Sequence, residues 1–366
     1  MRTNNVKVKI RLLLMKVAYN NHHQLVYLLN YRDALTLKKQ NQTFFCPQCQ
    51  QPVYIRITKK QHPYFAHQHN HKHLNESQQH QLGKQLLLQW CAQNNIIAKT
   101  EVWIGQQQQR ADVLLPQIKH IFELQCSPLE PSLLLKRTEC YHQYQYQVNW
   151  LLGKRYFLNK NYLTNQQYFI NYHPQYGFYL TFLDSYQKEL WCYNHLRQYD
   201  CGKCFWQKQS IKLSQLITKQ FKTNNYHLNS NSYHEQLRQN NKLMHALRYQ
   251  NHVVHNLQLA CYQRHHHLNN LPPACYETTL IPPIFKKPLL FTNIQTLLWL
   301  EKQKTCTTTA FYEYYRANIV INAPLLNETL QHIVIKKYAN YFLKRLLKQQ
   351  MITININEIV YLPSKW

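Results

Sequence analysis

The chain has 366 residues, 45% of them hydrophobic, and carries 43 Lys and Arg against 16 Asp and Glu, a formal charge of +27. That length leaves room for two or three domains with a real core and excludes a disordered basic tail. Charge of this sign attracts polyanions, nucleic acid first among them, and no apolar run reaches the roughly 18–20 residues that a membrane span needs.

The opening, MRTNNVKVKIRLLLMKVAYNN, holds a short apolar patch broken by charge and no small-residue cleavage site. No signal peptide is expected, and the chain is expected to remain cytoplasmic. Met15 offers a more ordinary start, which would make residues 1–14 an upstream extension. The 11 cysteines then favour thiols and metal ligands over disulfides.

Residues 15–42 read as a small strand-rich opening: MKVAYNN, a turn, then QLVYLLN. Residues 43–73 are rich in Cys and His. CPQC at 46–49 has C-x2-C spacing with Pro inside the turn, and His62, His67, His69, His71 and His73 follow. Two thiolates and two imidazoles make a closed tetrahedral Zn²⁺ site. A basic segment of about thirty residues buries little core, so a metal would contribute to its stability. The plainer alternative is a turn with two cysteines and a His-rich loop.

LNESQQHQLGKQLLLQWCAQNN predicts a helix. Asn75 can cap it, and Glu76 lies in the first turn, where negative charge suits the helix dipole. Leu82, Leu86 and Trp90 recur at intervals of four, and Asn94-Asn95 ends it. Three β-like runs follow: IIAKTEVWI (96–104), RADVLL (110–115) and HIFELQCS (120–127). PSLLLKRTECYHQYQ (131–145) has helical spacing, and VNWLLG (148–153) is one more strand. The order is α-β-β-β-α-β.

Beyond 153, residues 156–200 alternate Tyr, Phe and polar residues as a meander of strands would. Residues 231–268 and 326–350 are expected to be helical, with Pro272-Pro273 and Pro282-Pro283 marking a linker or irregular bridge. Four segments result: 1–73, strand-rich with the Cys/His knuckle; 74–153, an αβββαβ core; 154–230, a strand-rich extension; and 231–366, mostly helical. The fold class is mixed α/β or α+β. Cys192, His195, Cys201 and Cys204 in CYNHLRQYDCGKC have spacing that would allow zinc, but the first two can lie on opposite faces of one strand, so no site is expected there. RHHHLNN (264–270) reads as surface.

Carboxylates are scarce, so their positions matter. Glu123 sits inside the apolar run IFELQ, where it is costly to bury unless paired or metal-bound. Gln125 shares its strand face. If the second and third strands form a hairpin, Asp112 can lie beside Glu123. Two carboxylates in low dielectric repel, and a divalent cation between them removes that cost. Mg²⁺ takes oxygen ligands of this kind, here Asp112, Glu123 and the Leu124 carbonyl, and it can promote phosphodiester attack. Glu76, His80 and Lys84 are spaced i, i+4, i+8 and line one helix face. They suit metal-water positioning and phosphate contact, although such a face can be merely solvated. Arg110 and Arg137 can hold backbone phosphates; Trp90 or Tyr141 could add stacking on bases, although both are expected rather in the core.

ESQQHQLGK, RADVLL, FELQCS, KRTECY and VNWLLG, in this order and preceded by FFCPQCQQPV and YFAH, resemble the competence protein CoiA family from about Met15 to Gly153. The resemblance implies a nuclease-like core of the PD-(D/E)XK type, with Asp112 as the first acid and Glu123 as the second. Gln125 stands where the pattern usually has Lys, which orients the attacking water. Some restriction enzymes of that superfamily carry Gln there and still cut, and Lys84 could supply the charge from the helix. The resemblance favours His67 as third zinc ligand with Cys46 and Cys49, and His73 as the fourth; His62 with His67 is the rival pair. It further implies Mg²⁺ or Mn²⁺ as the catalytic ion, and action on incoming single-stranded DNA during recombination in natural transformation, in association with RecA. A non-catalytic DNA-binding accessory protein that keeps the fold is the competing expectation.

Overall fold

The computed structural model describes residues 17–22, 24–28, 30–40, 42–46, 52–58, 61–67, 78–105, 109–158, 162–218 and 232–362. The chain divides into two compact units, 1–76 and 77–366. The start considered at Met15 lies outside the described residues.

In the first unit, β1 (Val17–Tyr19) and β2 (Leu25–Tyr27) form a hairpin. Helix α1 (Tyr31–Lys39) follows, and then β3 (Phe44–Phe45), β4 (Pro52–Ile57) and β5 (Pro63–His67). The strands make an antiparallel sheet in the order β2-β1-β3-β4-β5. Along β4, Val53 and Ile55 are buried and Tyr54 and Arg56 exposed, the alternation of a sheet with one solvated face. The expected strand-rich opening therefore also contains a helix. Asn30 starts it by accepting the Asp33 N–H at 2.9 Å, and Ala34 packs it against Ala18, Phe44 and Phe65.

The second unit opens with α2 (Gln78–Gln93), followed by β6 (Lys99–Ile104), β7 (Gln109–Leu115), β8 (His120–Gln125), α3 (Pro131–Gln143) and β9 (Gln147–Leu152). β10 (Asn171–His173), β11 (Gly177–Asp184), β12 (Glu189–Tyr199) and β13 (Cys204–Ser210) come next. One sheet joins them in the order β13-β12-β11-β9-β8-β7-β6. The strands after residue 170 thus extend the sheet of the preceding segment. β6, β7 and β8 are antiparallel neighbours, and β8 and β9 run parallel, with α3 as the crossover a parallel pair requires.

Alternation along the strands sends side chains to two faces. Val113, Leu115, Phe122 and Leu124 pack with Leu86, Leu87 and Cys91 of α2. Leu114 and Ile121 pack with Tyr141 of α3. The helices therefore cover opposite faces. The most buried apolar residues of α2 are Leu86, Leu87 and Cys91, not the expected stripe of Leu82, Leu86 and Trp90; Leu82 and Trp90 are half-buried. Gly83 explains the closeness of α2 to the sheet, since a Cβ there would lie 2.1 Å from Leu124 Cδ2 and 2.8 Å from Ser185 Oγ.

The remainder comprises α4 (Leu213–Thr218), α5 (Ser232–Arg248), α6 (His252–Tyr262), β14 (Leu280–Ile281), α7 (Leu289–Gln303), β15 (Thr305–Thr307), α8 (Thr308–Ala317), α9 (Glu328–Lys348), β16 (Ile352–Asn355) and β17 (Glu358–Tyr361). The region expected to be bridge and helix also holds α7, α8 and a small sheet, β15-β17-β16. Asp200, at the β12–β13 turn, accepts the Leu289 and Leu290 N–H groups at 2.9 and 2.8 Å. It caps α7 from 90 residues away and ties the helical part to the sheet.

Candidate functional site

The pairing of β7 with β8 is regular from Leu115↔His120 to Val113↔Phe122. The next rung would oppose Asp112 to Glu123. There the ladder gives way to side chains. The Leu124 N–H, which should bond to the β7 backbone, donates instead to Asp112 Oδ2 at 2.8 Å. The Asp112 N–H in turn faces the Glu123 carboxylate. Both carboxylates therefore lie in or beside one gap between the strands.

Each acid is held from a different helix. His80 Nε2 of α2 lies 2.9 Å from Asp112 Oδ2. Glu123, 1% exposed, faces α3, where the Tyr141 hydroxyl and Arg137 Nη2 donate to its two oxygens. Arg137 also lies over the Trp150 ring, 5.1 Å from its centroid. Burial pushes the Asp112 carboxyl up, but the His80 contact and the Leu124 N–H outweigh it and leave Asp112 below the ordinary range. Burial raises the Glu123 carboxyl to about 8, with the Asp112 charge adding to the rise and Arg137 and Tyr141 opposing it. Burial also raises the Tyr141 phenol, with Glu123 adding to the rise. Tyr141 is thus a buried partner of Glu123 and is closed to base stacking.

The other expected residues are placed as follows. Gln125 is buried, and its amide donates to the Ser127 carbonyl. Lys84, on α2, is buried and forms an ion pair with Glu101. Arg110 is exposed, with Nε 2.6 Å from Glu101 Oε2. Glu76 lies outside the described residues.

Glu101 was absent from the expected set, although it links two members of it. On β6 the register runs Thr100↔Val113 and Val102↔Ala111, skipping the rung of Glu101 and Asp112. Glu101 has φ +56, a left-handed conformation rare in a strand residue, and such irregularities re-aim side chains beside functional sites. Glu101, Asp112 and Glu123 consequently occupy one row across three strands. Lys84 and Arg110 pair with Glu101, Arg137 pairs with Glu123, and His80 bonds Asp112. No sequence pattern marks the left-handed backbone at Glu101.

The donor set beside the gap consists of hard oxygens. Leu124 turns its N–H towards Asp112, and in an extended strand its carbonyl points to the same side. Burial, with the Asp112 charge beside it, holds the Glu123 carboxyl up, a cost that a cation at the gap would relieve. These features fit a cation such as Mg²⁺. Among the described residues, no group of three or more His, Cys, Asp and Glu side chains is placed to hold a metal.

In the first unit, Phe44 pairs with Val53 and Val53 with His67. Cys46, two residues past Phe44, therefore lies at the sheet end where β5 finishes with His67. Cys49, His69, His71 and His73 lie outside the described residues, and His62 precedes β5 at the opposite end. Cys192 and Cys204 are separated along the β12–β13 ladder, with Cys192 opposite Gln209 and Cys204 opposite Gln198, about 20 Å apart at 3.3 Å per residue. His266 bonds Glu301 at 2.9 Å and is partly buried, so the His run is not wholly surface.

The mixed α/β fold is consistent with a nuclease-like protein. The family model described as competence protein CoiA, nuclease-like domain, matches residues 76–226, and the CoiA N-terminal domain matches residues 28–73. The chain belongs to the competence protein CoiA family. It is similar to the competence protein CoiA of Bacillus subtilis (strain 168), with 29% identity over 133 residues. That match spans 35% of this chain and 35% of the relative's length. No solved structure matches. Among the described residues, no helix is long and apolar enough to cross a membrane.

Proposed function

We propose that this protein binds incoming DNA in natural transformation and supports its recombination through a metal-dependent, nuclease-like site. The observation that carries the reading is the gap where Asp112 and Glu123 replace a rung of the ladder. The αβββαβ order from α2 to β9 supports a core of the PD-(D/E)XK type. Asp112, Glu123 and the Leu124 carbonyl would hold Mg²⁺ or Mn²⁺. Such an ion supplies positive charge to the phosphoryl oxygens as a phosphodiester is attacked. His80 keeps Asp112 ionised, Arg137 and Tyr141 orient Glu123, and Arg110 offers exposed charge to a phosphate. The net charge of +27 supplies attraction to the polyanion at longer range. Association with RecA and a structural Zn²⁺ at Cys46, Cys49, His67 and His73 belong to the same reading.

A specific observation favours a second reading, a non-catalytic DNA-binding accessory of recombination. Both Glu123 oxygens are taken by Tyr141 and Arg137, and the Gln125 amide is engaged with Ser127. The test is incubation of purified protein with single- and double-stranded DNA in Mg²⁺, Mn²⁺ or EDTA, beside Asp112→Ala. Divalent-dependent cleavage that disappears in the variant supports the nuclease reading. Binding without cleavage supports the accessory reading. No binding at low salt removes the nucleic-acid partner.

A further inference from the structure

Trp103 is the one exposed tryptophan among the described residues, at 53% exposure. It lies on β6, the outer strand of the sheet, directly opposite Arg110. The Arg110 guanidinium covers the indole, 5.8 Å from the ring centroid, and its Nε is fixed by Glu101. Glu101 in turn pairs with Lys84. A chain of contacts thus runs from α2 through the irregular rung to an indole that keeps more than half its surface in water. Arg110 precedes Asp112 by two residues on β7, about 6.6 Å along a strand.

Isolated exposed apolar residues are ordinary on protein surfaces. This one differs in its setting: an indole held against a fixed guanidinium, one strand away from the paired carboxylates. The ring can offer a π-face to a base while the arginine offers charge to the adjoining phosphate, the pairing by which single strands are held without regard to sequence. A base within a duplex is already stacked on both sides, so only an unpaired base can use this platform.

We propose that Trp103 and Arg110 form a base-stacking subsite for an unpaired nucleotide next to the Asp112–Glu123 gap. The proposal rests on the nucleic-acid reading above and names residues that hold the strand. The test uses the full chain in EDTA, so that cleavage does not enter. Fluorescence anisotropy would measure binding of a labelled oligothymidine strand and of an abasic strand of equal length, for wild type, Trp103→Ala and Trp103→Phe. Wild type should prefer the base-bearing strand. Trp103→Ala should lose about 5- to 150-fold on that strand, as stacking on one base is worth, and much less on the abasic one. Trp103→Phe should recover most of the loss. Equal losses on both strands, or no loss on either, would overturn the subsite while leaving nucleic-acid binding in place. If wild type binds neither strand at low salt, the subsite and the wider reading fall together. An unchanged thermal melt for Trp103→Ala, expected for an exposed residue, separates a lost contact from a lost fold.

Discussion

Asp112 and Glu123 are cross-tied. Asp112 Oδ2 takes the N–H of Leu124, the residue after Glu123, at 2.8 Å, and the Asp112 N–H faces the Glu123 carboxylate. The two strands are held at this rung by the same groups that are candidates to bind a cation, so site chemistry and sheet stability are coupled.

The first consequence concerns Arg137. It supplies the charge that faces the buried Glu123. Removing Arg137 takes a donor away from the buried Glu123 Oε2, and a buried polar group left unsatisfied typically costs about 1–3 kcal/mol. Arg137→Met should destabilise the protein by that order, and Glu123→Gln with Arg137→Met should recover part of it. Urea denaturation of the four proteins in the cycle gives the coupling; strictly additive single effects would show that the pair is not coupled.

The second concerns pH. With a Glu123 carboxyl at about 8, the folded protein holds a proton that the unfolded chain releases near the ordinary glutamate value. Between those values the folded state binds more protons, so this contribution to stability is complete at low pH and is lost as pH rises towards 8. In EDTA, the stability of wild type minus that of Glu123→Gln should fall from pH 5 to pH 8.5 and then level. Asp112, held low, acts only at the acid end. A cation bound at the gap takes the place of the proton, so Mg²⁺ should reduce the fall. A difference that stays flat or rises with pH would contradict this placement of Glu123.

The third concerns Gly83, where a Cβ would meet Leu124 and Ser185. Ala is the better helix former, yet Gly83→Ala should destabilise by about 1–3 kcal/mol through overpacking. By lifting α2 from the sheet it should also loosen the His80–Asp112 contact. Chemical denaturation measures the first effect, and a rise in the His80–Asp112 distance in a crystal structure of the variant would show the second.

The core from α2 to β9 was legible because its strands are short apolar runs parted by polar loops. Other elements were hidden for physical reasons. α7, LLFTNIQTLLWLEKQ, is buried on most sides and therefore carries no one-sided stripe. α1 is short and follows directly on strand-like residues. β15, β16 and β17 span three or four residues each, too few for alternation to register. At the site, Asp112 and Glu123 could be found because acids are rare in this chain. Glu101 could not, since its importance lies in a backbone angle, nor could the Arg137–Tyr141 hold on Glu123, which depends on how α3 crosses the sheet.

The fourth prediction concerns zinc. Freshly purified protein should contain about one Zn²⁺ per chain, as a closed Cys/His site holds. Cys46→Ser should lose it and selectively destabilise the first unit, read by metal analysis and by limited proteolysis. Purified protein with no zinc would remove the knuckle from the functional reading.

The left-handed Glu101 has a bearing on assembly as well as on the site. β6 is the outermost strand of its sheet, and a regular outer strand offers a row of backbone groups on which a strand of another molecule can add. The irregular rung at Glu101 interrupts that row within a six-residue strand, leaving neither half long enough to serve as a template. The distortion beside the carboxylates thereby also discourages edge-to-edge aggregation.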